Sequence, residues 1–131
     1  MAELSDDTRE ILEKKTFVHV GTLMGDGAPH VSPVWVTVDG NDILFNTSEG
    51  RLKERNLGRD PRIALSAIDP DNPYHSVLIR GRVTEVTTDG ADDNINMLAK
   101  KYMDVDEYPY READEVRVIV RVETERETVM G

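Results

Sequence analysis

The residue types best suited to do chemistry are concentrated in one segment, Asn46 to Arg62, with the sequence NTSEGRLKERNLGRDPR. This segment is rich in basic side chains, although acidic residues outnumber basic ones by 26 to 16 in the whole chain. The basic residues are Arg51, Lys53, Arg55, Arg59 and Arg62. Hydroxyl groups, the N–H groups of a first helical turn and guanidinium groups together suit a bound phosphate. Local composition also allows a solvated helix face, whose ion pairs contribute under ~1 kcal/mol each.

The remaining reactive residue types form no recognisable catalytic group. The three histidines, His19, His30 and His75, lack the spacing of a metal triad, so we predict no metal site. His75 lies between Tyr74 and Ser76 and is the histidine we expect nearest to a ligand. The absence of cysteine excludes a disulfide framework, a thiolate zinc site and a thiol nucleophile. Neither a serine nucleophile elbow nor a G-x-G-x-x-G fingerprint is present.

Length and charge restrict the class of protein and its partners. The 131 residues are typical of a single domain, which we expect to span 1–131. A formal net charge of −10 would repel a polyphosphate backbone, so nucleic acid is not an expected partner. No run approaches the roughly 18 apolar residues of a membrane span. The acidic N-terminal sequence is unlike an export signal, and a cytoplasmic location is expected.

Turn residues divide the chain into short apolar strands and a few helices. Helices are expected over Ser5 to Lys15, Glu49 to Asp60 and Ala91 to Met103. Strands are expected at 17–24, 31–38, 42–48, 63–68, 76–86 and 116–122. Gly81 should mark a bulge in the long strand, and Pro33 indicates an edge strand. The pattern predicts an α+β, mainly β fold: a six-stranded antiparallel barrel with two or three helices.

These motifs resemble the pyridoxamine 5′-phosphate oxidase-like split-barrel superfamily over nearly the whole chain. The similarity lies in the strands VSPVWVTV and DILFNTS, in the run G-R-L-K-x-x-N-L-x-x-D-P-R and in the apolar strand that follows. The resemblance implies a split β-barrel that forms a homodimer with two sites shared across the interface. The R-L-K-x-x-N-L spacing and the K-K-Y…Y-P-Y-R element are more similar to the branch that uses the deazaflavin coenzyme F420 than to the vitamin-forming oxidases.

The resemblance also implies which residues bind the cofactor. Lys53 stands eight residues before Pro61, where the family has its phosphate-binding lysine, and Arg51 stands two positions earlier. Leu52 occupies the place of the arginine of the vitamin oxidases, which favours F420 over FMN. The other implied contacts come from a strand along the ring, a strand end at the ribityl and phosphate oxygens, the helix, and the long strand. They are Val31, Ser32, Pro33, Val34, Trp35, Val36, Asn46, Thr47, Ser48, Asn56 and Ser76. His75 joins the predicted site because it lies beside Tyr74 and Ser76.

The aromatic residues leave two interpretations open. Trp35, the only tryptophan, could stack near the cofactor ring, but a position in the core or at the dimer interface is favoured. The tyrosines Tyr102, Tyr108 and Tyr110 could close the substrate pocket from the partner subunit or could be structural.

The function implied by the resemblance is that of an F420-dependent oxidoreductase. Such an enzyme would transfer a hydride between the cofactor and a small conjugated organic acceptor, and it would need few catalytic side chains. An FMN-binding oxidoreductase and a non-catalytic flavin or deazaflavin-binding protein are the alternatives, because both would use the same phosphate-binding residues.

Overall fold

The computed structural model of the protein describes residues 3–131. Its helices are α1 (Asp6–Glu13), α2 (Leu52–Arg59) and α3 (Ala91–Met103). Its strands are β1 (Val18–Leu23), β2 (Pro29–Val34), β3 (Val36–Asp39), β4 (Asp42–Ser48), β5 (Arg62–Asp69), β6 (Asn72–Thr87) and β7 (Arg117–Met130). All neighbouring strands are antiparallel, in the order β2-β1-β5-β6-β7-β4-β3. The curled sheet with three helices confirms the predicted α+β split barrel.

The core lies on the inner face of the curled sheet. Alternate residues of each strand face it, as in Val118, Val120 and Val122 of β7, because side chains along a strand point to opposite faces. Phe45 of β4 is fully buried among them, and α1 covers one end of the core with Ile11 and Leu12. Burial of an aliphatic side chain of this size contributes roughly 1.5–3 kcal/mol relative to exposure, so this inner face provides most of the stabilisation.

The structure has seven strands where six were predicted, because the strand expected at 31–38 divides at Trp35. Two side chains of α3 bind the backbone at this point. The Tyr102 hydroxyl accepts a hydrogen bond from the Val36 N–H at 3.1 Å, and Lys101 Nζ donates to the Val36 carbonyl at 2.8 Å. The first half of the predicted strand therefore pairs with β1, and the second half pairs with β4. Pro33 lies in β2, an edge strand, as predicted.

The strand β6 is longer than predicted and bends near its middle. It begins at Asn72, since the expected loop at 69–73 is only a two-residue turn of Pro70 and Asp71. The register with β7 shifts between Arg80 and Gly81, which confirms the predicted bulge. A Cβ atom at Gly81 would lie 2.6 Å from the carbonyl oxygen of Glu123, so only glycine fits at this crossing.

The helices begin and end close to the predicted positions. Ser5 is the N-cap of α1, and its hydroxyl accepts a hydrogen bond from the Thr8 N–H. Gly50, with a φ of 85°, turns the chain from β4 into α2, a conformation that glycine adopts without steric cost. Within residues 3–131, no helix is both long and apolar enough to cross a lipid bilayer.

Candidate functional site

A cavity of about 170 Å³ opens where β2, β4, α2 and α3 meet the segment that precedes β7. Half of the fourteen site residues predicted from the sequence line this cavity: Pro33, Val34, Trp35, Asn46, Thr47, Arg51 and Lys53. The other lining residues are Ile95, Leu98, Tyr108, Tyr110 and Arg117. Residues of β2, β4, α2 and α3, together with Trp35 and the start of β7, thus converge on one space.

Three basic side chains, Arg51, Lys53 and Arg117, line the cavity and form what we call the cationic cluster. Arg51 is the N-cap residue of α2, and its half-exposed side chain makes no capping hydrogen bond. The first N–H groups of a helix have no partner within the helix, and the helix dipole adds positive potential at this end. The arrangement combines guanidinium, ammonium and backbone donors that suit an anion.

Arg117 was not predicted as a site residue, yet it is buried in the middle of the cationic cluster. Its Nε donates to Asn46 Oδ1 at 2.7 Å, and one terminal nitrogen donates to Ser48 Oγ at 3.0 Å. The same nitrogen pairs with the Glu115 carboxylate. The alternation in β7 shows only on which face of the strand Arg117 lies. Arg117 reaches the site because it pairs with Ser48 of β4, which is 69 residues away in the sequence.

The end of β4 contributes two side chains that already form hydrogen bonds and one hydroxyl that forms none among the described residues. The Asn46 amide donates to the Ala91 carbonyl at 2.8 Å and to Asn94 Oδ1 at 2.9 Å, which binds β4 to α3. Ser48 donates to Glu115. In contrast, Thr47 Oγ1 is buried without a hydrogen-bond partner in the described part of the chain. Since buried polar atoms are normally paired, this hydroxyl indicates a position for a polar ligand atom.

The electrostatics of the site favour a bound anion. Burial, together with the charges of Arg51 and Arg117, lowers the pKa of Lys53. Burial opposes ionisation of Glu115, but hydrogen bonds from Ser48 and Arg117 outweigh it and lower the pKa to about 2. An anion beside Lys53 would relieve the repulsion among the three cations.

An aromatic wall lies on another side of the cavity. The ring of Trp35 stacks on Tyr102 with centroids 5.1 Å apart and an interplanar angle of 7°. Tyr108 meets Trp35 edge-on at 5.9 Å and Tyr110 at 5.8 Å, and its ring also lies 5.2 Å from the Arg117 guanidinium. The wall therefore belongs to the same chain as the cationic cluster, and Tyr102 has a structural part at the break between β2 and β3.

The other predicted site residues lie outside this cavity. Asn56 is fully buried and donates to Thr22 Oγ1 at 3.0 Å, which fastens α2 to β1. His75 pairs with Asp69 at 3.1 Å near the start of β6, and Ser76 follows it. The remaining ones are Val31 on the outer face of β2, Ser32 with its buried hydroxyl, Val36 in the core and Ser48 behind Arg117. Among residues 3–131, no three His, Asp or Glu side chains are grouped as a metal site.

Comparison with known proteins identifies the family. A family model described as pyridoxamine 5′-phosphate oxidase matches residues 4–130, almost the whole chain. The chain belongs to the pyridoxamine 5′-phosphate oxidase family. This result agrees with the family resemblance found in the sequence motifs. No curated protein matches the chain significantly.

Solved structures share the fold of this family member. One described as an F420 reductase is 31% identical, with a TM-score of 0.84, and the match covers 95% of this chain and 98% of that chain. A putative pyridoxamine 5′-phosphate oxidase from Listeria innocua is 17% identical, with a TM-score of 0.69 and 92% of each chain covered. Another from Lactobacillus delbrueckii is 22% identical, with a TM-score of 0.68 and coverages of 96% and 93%. The last two show the fold alone.

Proposed function

We propose that this member of the pyridoxamine 5′-phosphate oxidase family is an F420-dependent oxidoreductase that transfers a hydride between the cofactor and a small conjugated organic acceptor. The observation that carries the proposal is the cationic cluster facing an aromatic wall in one cavity. A phosphorylated flavin-type cofactor has an anionic end and a planar ring, which these two sides would accommodate. Similarity along 95% of the chain to a structure described as an F420 reductase supports F420 as the cofactor.

The residues present fit such a cofactor. Arg51, Lys53 and the first N–H groups of α2 would bind the phosphate, and the unpartnered Thr47 hydroxyl would meet a ribityl or phosphate oxygen. Pro33 and Trp35, on the edge of the sheet, would lie along the ring. When bound, a reduced deazaflavin supplies a hydride from its ring to an electron-poor acceptor.

The side chains of the cavity suit binding and orientation more than proton transfer. Among the described residues that line it, none is a carboxylate or a histidine. The apolar side chains of Val34, Ile95 and Leu98 exclude water from the inner end of the cavity. We therefore assign the chain the tasks of holding the cofactor, shaping the acceptor pocket and limiting solvent access, with the product proton coming from solvent or cofactor.

FMN is the second candidate cofactor, because its phosphate would use the same cationic cluster. Titration of the purified protein with F420 and with FMN, followed by cofactor fluorescence, separates the two. We expect F420 to bind more tightly. A near-micromolar affinity for FMN with weaker F420 binding would contradict the proposal. Oxidation of reduced F420 in the presence of conjugated acceptors then distinguishes an enzyme from a cofactor-binding protein.

The phosphate contact itself is tested by the double variant Arg51→Ala, Lys53→Ala. Loss of two charge-assisted contacts should weaken F420 binding by roughly 3 kcal/mol or more, which is over a hundredfold. The matched control is Arg55→Ala, which removes a cation one turn further along α2 that does not line the cavity. Unchanged cofactor affinity in the double variant, measured by the same titration, would refute the phosphate contact.

We further propose that the protein is a homodimer. One cross-strand row on the outer sheet face runs through Val31, Gly21, Ala64 and Arg80, and the small residues at its centre would allow close approach of a second surface. Neighbouring Leu78 and Ile68 are exposed apolar side chains on the same face. Sedimentation equilibrium should give twice the chain mass of 14.8 kDa, and a monomer across the micromolar range would contradict this proposal.

A further inference from the structure

We propose that Glu115 is a specificity-determining residue that lowers the advantage of a doubly charged phosphomonoester over a singly charged phosphodiester at the phosphate site. This inference rests on the proposed function only in placing a phosphate at the cationic cluster. It concerns a residue that does not line the cavity and lies behind the cations that do.

The position of Glu115 is fixed from several directions. Its Oε1 lies 3.5 Å from a terminal nitrogen of Arg51 and also pairs with Arg117. Ser48 donates to the same oxygen, and the backbone N–H of Glu112 donates to Oε2 at 3.2 Å. The side chain is only 5% exposed. A carboxylate this well satisfied stays ionised, so its negative charge is a permanent part of the site.

The carboxylate reduces the charge that a phosphate would meet. The cationic cluster has three positive side chains, and one buried carboxylate leaves two positive charges in excess. Two of the three cations, Arg51 and Arg117, are shared between Glu115 and any ligand, since a guanidinium has five N–H donors to distribute. Exposed acids on the rim are screened by water and salt, whereas the charge of the largely buried Glu115 side chain is screened much less.

Whether a phosphate is a monoester or a diester sets its charge, and its charge sets how strongly Glu115 repels it. Coulomb energy scales with the product of the charges, so the repulsion is twice as large for a dianion as for a monoanion. A phosphomonoester such as FMN loses its second proton near pH 6 and is doubly charged at pH 8. A phosphodiester, such as the one that links F420 to its tail, keeps a single charge. Glu115 therefore penalises the monoester selectively.

The test compares FMN with its monomethyl phosphate ester, which has the same ring and a phosphodiester. Both are titrated by flavin fluorescence at pH 5 and pH 8 into wild type, Glu115→Gln and Glu49→Gln. The ratio of the two affinities at pH 5, where both carry about one charge, measures the steric effect of the methyl group. The change of that ratio between pH 5 and pH 8 measures the effect of the second charge.

In the wild-type protein, we expect the preference for FMN to rise by less than about threefold from pH 5 to pH 8. In Glu115→Gln, we expect it to rise by about tenfold or more, because the dianion gains twice as much as the monoanion when the carboxylate is removed. Glu49→Gln makes the same charge change on an exposed side chain of the adjoining surface and should behave as wild type.

Two results would overturn the proposal. One is a pH-dependent rise in Glu115→Gln that equals the wild-type rise, because a purely structural role would change the binding of both ligands alike. The other is a rise of more than about threefold in the wild-type protein, a measurement that does not depend on whether a variant folds. Since both probes carry a flavin ring, failure to bind F420 would refute the proposed cofactor and leave this comparison intact.

Discussion

Arg117 is the residue on which the geometry of the cavity most depends. Its guanidinium joins β4 through Asn46 and Ser48, neutralises Glu115 and lies over the ring of Tyr108. The cationic and aromatic sides of the cavity are therefore fixed relative to each other by one side chain. Removing Arg117 would leave the buried Glu115 carboxylate with the more distant Arg51, at 3.5 Å, as its cationic partner, and breaking a buried ion pair typically costs 3–5 kcal/mol.

The Tyr102 hydroxyl is the best single atom with which to test the break in the strand at Trp35. Tyr102→Phe removes the acceptor of the Val36 N–H and the donor to the Thr16 carbonyl, at 3.1 and 2.7 Å. Leaving these half-buried groups unpaired should reduce the free energy of unfolding by about 1–3 kcal/mol. Urea denaturation measures the loss, with the exposed Tyr74→Phe as a control that should be neutral. Equal midpoints for both variants would contradict the assigned contact.

Sequence alone could indicate part of the site at this scale. Arg51 and Lys53 stand in a locally basic segment after a strand, and short-range composition was enough to single them out. Arg117 could not be found in that way, because a strand pattern does not say which strand lies beside it. His75 was predicted from its place beside Tyr74 and Ser76, and Asn56 from family resemblance. The structure gives both of them polar partners within the fold, away from the cavity.

At the scale of elements, the spacing of apolar residues along the sequence predicted nearly every helix and strand. The α3 helix begins and ends at the predicted residues, since its apolar positions recur at helical spacing. The division into β2 and β3 was missed for a physical reason. The side chains that take the backbone hydrogen bonds of Val36 come from Lys101 and Tyr102, 65 and 66 residues further along the chain.

A charged cluster joins α1 to the turn between β5 and β6, and it should make stability depend on acid pH. The N–H of Asp71, then Lys14 and His75, lower the pKa of Asp69 to about 2. A carboxyl whose pKa is lowered by folding stabilises the native state above its unfolded pKa, and this contribution is lost as pH falls towards 2.

Asp69→Asn should therefore lower the melting temperature near pH 6 and flatten its decline between about pH 4 and pH 2. Asp71→Asn is the control, because that exposed carboxylate shares Lys14 but has no second side-chain partner among the described residues. Thermal unfolding followed by circular dichroism gives both curves. A steep acid decline retained in Asp69→Asn would show that other carboxylates cause it.

At the scale of the whole molecule, the curl of the sheet depends on the bend in β6. Gly81→Ala would place a methyl group 2.6 Å from the Glu123 carbonyl and 2.8 Å from a Val122 methyl. We expect a destabilisation of about 1–3 kcal/mol, as for other overpacked positions. In Gly58→Ala, nothing lies within 4 Å of the added carbon, and helix propensity should instead add about 0.5–1 kcal/mol. Chemical denaturation should thus shift in opposite directions for these two variants.

The one-residue connection at Trp35 has a consequence for how the chain folds. The hairpins β1–β2, β3–β4 and β5–β6 are local in sequence, whereas β1 reaches β5 and β4 reaches β7 only through long loop closures. Because Trp35 joins the first two hairpins directly, docking of either one on the rest of the sheet brings the other to the opposite edge. Docking of the first hairpin therefore already includes most of the entropy cost of docking the second. We expect the two edges of the sheet to form together in a single kinetic step.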